Sequence, residues 1–213
     1  MLQGIALVCL AVGMIGLSYG ATAVAYRLPL WLPAVLGVLV LAAGSEFLFI
    51  GIIGTGGDPV AAVLAGLLVN ARHVPYGISV PDVVGTGWRR ILSTHLMNDE
   101  TVALALAQSD LARKRGAYWV CGLGILICWP AGALLGGLLG SVVPNTNAFG
   151  LDAIFPAVLL ALILPGLKGR GIRQAALVAG AIALIATPFT PAGLSVLLAL
   201  IGLICVAREE RTQ

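Results

Sequence analysis

Long apolar runs separated by short polar connectors recur along the whole of this chain. Seven stand out, at 4–25, 32–54, 59–79, 117–140, 151–167, 171–187 and 191–207. Each is close to the twenty or so apolar residues that a helix needs to cross a hydrocarbon core of about 30 Å. The runs are continuous and rich in Leu, Ala, Val and Gly. Barrel strands would be shorter, about ten residues, and would alternate apolar with polar positions. The pattern therefore predicts an all-α polytopic integral membrane protein. It has about seven transmembrane helices and forms one transporter-sized membrane domain over 1–213. The first run has no basic segment before it, exceeds the apolar core of a secretory signal and lacks a convincing cleavage site, so it is expected to be a retained helix.

Proline and glycine break several of these runs. Asp58-Pro59 is a helix start, with Asp at the N-cap and Pro at the first helical position. Asp152 could cap its helix in the same way. Pro75 and Pro81, with Gly77 between them, predict that the third run kinks or ends early near Arg72-His73. Broken backbone at that depth is tolerated where it lines a cavity, and transporters bind their cargo at such breaks. A faint internal similarity links 42–68 with 130–162, each a small-residue helix, a neutral turn with Asp and a second apolar helix. Composition alone accounts for most of it. Gly132-x-x-x-Gly136-x-x-x-Gly140 and Gly16-x-x-x-Gly20 place small residues along helix ridges, where membrane helices approach closely.

The apolar pattern fails conspicuously in one place, Asn70 to Glu100. Ionisable groups at membrane depth are costly unless they pair or face water, and they mark pathways or sites. Arg72 keeps its charge and offers a planar fork that suits a carboxylate. It reads as a substrate anchor, as a partner for Asp99 or Glu100, or as a side chain reaching the interface. Asn70 and His73 flank it. His95 and Asp99 are four residues apart, which would place them on one face of an amphipathic helix over 91–109. That helix would line a polar cavity or lie at the interface. Glu46 stands outside this stretch, mid-span in LAAGSEFLFIG. It is a candidate substrate contact and proton carrier, or else a carboxyl group hydrogen-bonded to backbone or to Asn70.

Charge adds an orientation. The chain carries 10% charged residues, 60% hydrophobic ones and a mean hydropathy of +1.05. The basic connectors are Arg27, Arg89-Arg90, Arg113 to Arg115, Lys168 to Arg173 and the tail. The connectors at 54–58, 141–152 and 187–191 have no Lys or Arg. Basic connectors collect on the cytoplasmic side. The alternation puts the C-terminus inside and, if 91–109 enters and returns without crossing, gives seven spans and an external N-terminus. A crossing 91–109 would give eight spans and an external Arg89-Arg90.

Chemistry beyond transport has little support. Cys9, Cys121, Cys128 and Cys205 lie in apolar runs without C-x-x-C spacing and read as buried hydrophobes. His95 and Asp99 alone are too few for a metal. No H-E-x-x-H, nucleophile elbow or phosphate loop is present, so neither enzymatic activity nor a cofactor is expected.

The stretches AAGSEFLFIGIIGTG, LLVNARHVPYGIS, HLMNDETVALALAQ and GLDAIFPAVLLALILPGLKGR, with Trp129 and the glycine ridge behind it, occur in an order that resembles the AzlC family. N-x-R-H followed about 25 residues later by D-E-T is the specific part. AzlC proteins are the large subunits of branched-chain amino acid exporters. The resemblance implies secondary export of Leu, Ile and Val, with Met as a further candidate, from the cell membrane. It also implies a small AzlD-type membrane subunit as partner. The family more often carries Gln where this chain has Glu46, and the basic N-terminal extension frequent in the family is missing. On that reading Asn70, Arg72, His73 and Glu46 contact substrate, while Glu46, His95, Asp99 and Glu100 are candidates for proton coupling. The alternative is a channel-like or accessory subunit whose partner holds the substrate site.

Overall fold

The structure is a computed structural model and describes residues 2–142, 164, 167, 169–190 and 198–202. Its helices are α1 (Leu2–Ala25), α2 (Trp31–Leu39), α3 (Ala43–Gly54), α4 (Pro59–Asn70), α5 (His73–Ser79), α6 (Pro81–Val84), α7 (Trp88–His95), α8 (Asp99–Leu106), α9 (Leu111–Val142) and α10 (Arg170–Ala186). No strand occurs among the described residues. Three helical stretches there are long and apolar enough to cross a membrane: α1, α9 and Arg170–Phe189.

The core is α1 packed on α9, and the two helices are parallel. A Cβ on Gly16 would meet the backbone of Trp129 to Ala133, and one on Gly20 would overlap the Ala133 carbonyl. Further along, Gly136 faces Leu17 and Gly140 faces Ala21. Both sequences therefore advance in the same direction across the contact. The small-residue ridges let the two backbones touch, which is how helices associate where lipid supplies no hydrophobic drive. The ends where α1 and α9 begin form one end of the bundle, here the proximal end. The ends where they finish form the distal end.

The second apolar run, 32–54, was expected to be a span. It is instead a hairpin that enters from the distal end and returns to it. Leu30 packs near Gly137 and Gly37 near Trp129, so α2 runs against α9. Phe47 then packs on Tyr19, and Gly54 meets Tyr26, so α3 runs back alongside α1. The tip, Val40 to Ala42, is unwound, with Leu41 at φ 53°. A non-glycine residue in the left-handed region costs of order 1–2 kcal/mol, and the packed hairpin offsets it.

A second hairpin enters from the proximal end. The Tyr118 hydroxyl donates to the Ser93 carbonyl at 2.5 Å, and Leu96 packs on Gly122, so α7 runs with α9. The helix stops at Leu96 to Asn98, and α8 returns along α9 to its start. The segment 91–109 thus goes in and comes back. The expectation that His95 and Asp99 share a helical face does not hold, because the tip separates them onto α7 and α8.

Between the hairpins, α4 to α6 runs from the distal end to the proximal end in pieces. Gly66 lies against Ser45, Arg72 pairs with Asp99, and Arg115 donates to the Asp82 carbonyl at 3.0 and 2.8 Å. The expected break near Arg72-His73 is present, and Asp58 caps α4 by accepting from the Ala61 N–H at 2.9 Å. Only this one path joins the end of α1 to the start of α9, which is why those helices are parallel. The N-terminus therefore lies at the end that carries Arg89, Arg90 and Arg113 to Arg115, while Arg27 lies at the other. That corrects the expectation of an N-terminus opposite the basic connectors. The count of seven spans loses 32–54. Asp152, most of the run 151–167, most of 191–207 and Cys205 lie outside the described residues.

Candidate functional site

Both hairpin tips and the α4–α5 break meet at mid-depth of the bundle, and the candidate substrate and coupling residues Glu46, Asn70, Arg72, His73, His95, Asp99 and Glu100 lie there or beside it. The two hairpins touch just beside their tips. His95 Nε2 lies 2.8 Å from the Val38 carbonyl, an acceptor, so the N–H is on Nε2. His95 thus links α7 to the end of α2.

Glu46 is in the first turn of α3 and only 2% exposed. Its Oε1 accepts from the Ala42 N–H at 2.9 Å, and the Trp129 indole N–H lies 3.2 and 3.1 Å from its two oxygens. Trp129 stacks on Tyr19 at 5.1 Å and 16°, and Phe47 tilts against both rings. The Tyr19 hydroxyl lies near enough to Glu46 to interact with it, although it makes no well-formed hydrogen bond. The carboxyl group therefore sits at a helix N-terminus, in an aromatic box, with neutral N–H donors and no ion pair among the described residues. Of the partners anticipated for Glu46, the backbone is one and Asn70 is not.

Arg72 occupies the α4–α5 break. Its Nη1 pairs with Asp99 Oδ2 at 2.6 Å, and both side chains are a quarter to a third exposed. Asp99 opens α8, where the helix N-terminus favours a negative charge. Glu100 follows it in the same turn, and the Tyr76 hydroxyl lies beside Asp99. Asn98 and Thr101 form a capping box, each side chain bonded to the other's backbone N–H at 2.9 Å. This cap holds the tip that presents Asp99. Thr101→Val is expected to cost about 1 kcal/mol, read as a lowered thermal midpoint of the purified protein. His73 is turned away from the pair, its Nδ1 2.9 Å from the Asn70 carbonyl and its ring edge on Tyr76.

The polar satisfaction of this region is incomplete in an ordered way. Asn70 Oδ1, Arg72 Nε and Asp99 Oδ1 are buried without hydrogen-bond partners. Buried polar groups are nearly always paired, so such a cluster implies a ligand or water. One cavity of about 180 Å³ reaches Asn70 and Glu46 from the distal side. Another of about 610 Å³ reaches His73, Thr94 and Met97 from the proximal side. Arg72 lies between them in the chain. Among the described residues no group of three His, Cys, Asp or Glu side chains could hold a metal ion.

Comparison with known proteins bears on this arrangement. The AzlC protein family model matches residues 7–143, more than half of the chain and everything from within α1 to the end of α9. The chain belongs to the AzlC family. The branched-chain amino acid transport protein AzlC of Bacillus subtilis is 28% identical over 153 residues, covering 70% of this chain and 60% of that protein. Uncharacterized membrane proteins of Haemophilus influenzae and Archaeoglobus fulgidus are 28% and 29% identical, over 73% and 69% of this chain and 66% and 65% of their own lengths. The chain thus spans about two thirds or less of these family members. No solved structure matches it.

The sequence pattern singles out Glu46, Asn70, Arg72 and Asp99 and passes over Tyr19 and Tyr76, and it marks Trp129 without giving it a role. An aromatic residue inside an apolar run looks like core. Only the packing shows that these three surround carboxylates.

Proposed function

We propose that this chain is the large subunit of a secondary transporter that exports Leu, Ile and Val, and also Met, across the cell membrane. The observation that carries this reading is a zwitterion-shaped deficit between two cavities. Asn70 Oδ1 is an unmet acceptor beside Glu46, and Arg72 Nε is an unmet donor. An amino acid's ammonium group suits the first and its carboxylate the second. An aliphatic cavity beside them suits its side chain.

The two hairpins enter from opposite ends and meet at the bundle's mid-depth, an arrangement suited to alternating access around a fixed site. In this reading the substrate carboxylate displaces Asp99 from Arg72. A proton entering from outside neutralises the released Asp99 or Glu46, and its return to the cell accompanies outward movement of the zwitterion. The basic proximal end faces the cytoplasm, so the N-terminus is inside and the 610 Å³ cavity is the cytoplasmic vestibule. A small AzlD-type subunit completes the complex.

The test is efflux of labelled leucine from loaded proteoliposomes under an imposed proton gradient, with and without the small subunit. Gradient-driven efflux supports the reading. Leucine retained under every condition defeats it, and efflux that appears only with the small subunit leaves the accessory alternative standing. Glu46→Gln is expected to lose the pH dependence of efflux while keeping the bonds from Ala42 and Trp129. A full rate with an unchanged pH profile removes Glu46 from coupling and leaves Asp99.

A further inference from the structure

The cavity beside Glu46 has a property that general transport does not require: on its α4 side, two small residues, Ala62 and Gly66, stand between Val63, Leu67 and Asn70. Gly66 and Ala62 of α4 face Ser45, Phe49 and Leu36 of the hairpin across about 180 Å³. A sealed apolar cavity of about 150 Å³ accepts benzene, so this half-open one, with exposed Val63 and Leu67 at its margin, has room for a branched or thioether side chain. Its polar lining residues are Ser45, Glu46 and Asn70. We propose that this cavity is the side-chain subsite and that Gly66 and Ala62 set the length of aliphatic side chain it accepts. The inference rests on the export reading for its substrate class, but the subsite can be tested by binding alone.

Gly66 is not required there by backbone geometry. It lies inside α4, and a Cβ added to it would stand 3.6 Å from the Ser45 Cβ, an ordinary contact. An alanine therefore fits without moving the hairpin and fills part of the cavity. Ala62 is fully buried and clusters with Ile52 and Ala65, so a valine there presses on packed neighbours as well as on the cavity. Leu36 closes the opposite side from α2. One methylene in an apolar pocket is worth roughly 10- to 200-fold in discrimination, which is large enough to read.

The experiment measures thermal stabilisation of the purified chain in nanodiscs by alanine, valine, leucine, isoleucine, methionine and tryptophan. Wild type is expected to respond most to leucine, isoleucine and methionine. Gly66→Ala is expected to weaken leucine and methionine by about tenfold while leaving valine and alanine nearly unchanged. Ala62→Val should act in the same direction, and Leu36→Ala should gain on tryptophan. Equal losses for all six ligands in the folded Gly66→Ala protein overturn the proposal, and so does the absence of any response in wild type. Size-dependent binding in a protein that moves no leucine in liposomes would uphold the subsite and defeat the export reading.

Discussion

Gly136→Leu is expected to leave no correctly folded protein in the membrane. A Cβ on Gly136 would overlap the Leu17 carbonyl, and the neighbouring contacts are also α1 backbone. Backbone cannot swing aside as a flexible side chain can, so α1 and α9 would have to separate. Both hairpins hang on this pair: Trp129 holds Glu46, Tyr118 holds Ser93 and Tyr19 holds Phe47. Separation therefore dismantles the site as well as the core. Overpacking of an ordinary core costs about 1–3 kcal/mol. A backbone clash in the central contact should exceed that. The check is the amount of monodisperse protein extracted from membranes, with Gly4→Leu as the control because a Cβ on Gly4 meets nothing. Normal recovery of the Gly136 variant would show that α1 and α9 do not pack this way.

The second large effect is expected at the Arg72–Asp99 pair. Arg72→Ala should lower leucine efflux by at least about 100-fold, the scale reached when a positioning group is lost or misplaced. It removes the proposed carboxylate anchor and leaves Asp99 without its cation. Arg72→Lys keeps the charge but not the planar fork, and it should recover only part of the rate. Asp99→Asn should bind leucine as well as wild type or better, because the substrate carboxylate no longer competes for Arg72. Its efflux should no longer respond to a proton gradient if Asp99 is the carrier. Binding and efflux measured on the same preparations separate these effects. Arg72→Ala efflux close to the wild-type rate would remove the pair from the mechanism.

Asn70, Arg72, Asp99 and Glu46 were legible in the sequence because polar groups are expensive at membrane depth. The break after Asn70 was legible too, from Pro75, Gly77 and Pro81. The hairpin over 32–54 was not. Its tip is Val40, Leu41 and Ala42, three apolar residues with no proline or glycine among them, so nothing local marks the turn. The one sign of it is a positive φ at Leu41, which appears only once the chain is folded. The same blind spot reversed the N-terminus, because one missed turn changes the parity of every crossing before it. The tip at 96–98 was half legible. The capping box of Asn98 and Thr101 is a local signal, but both residues also fit within a single amphipathic helix over 91–109.

By itself the sequence determined that this is a helical membrane protein, that it carries the AzlC pattern, and that its polar chemistry is concentrated in a few residues. Those properties follow from local composition, spacing and the cost of burying charge. Only the tertiary structure decided which residues share a site. Glu46 and Trp129 are distant in the chain, as are Arg72 and Asp99, and each pair meets because two parallel glycine-faced helices let two hairpins reach the same depth from opposite ends. Close packing of that kind depends on which surfaces meet, and no local pattern specifies it.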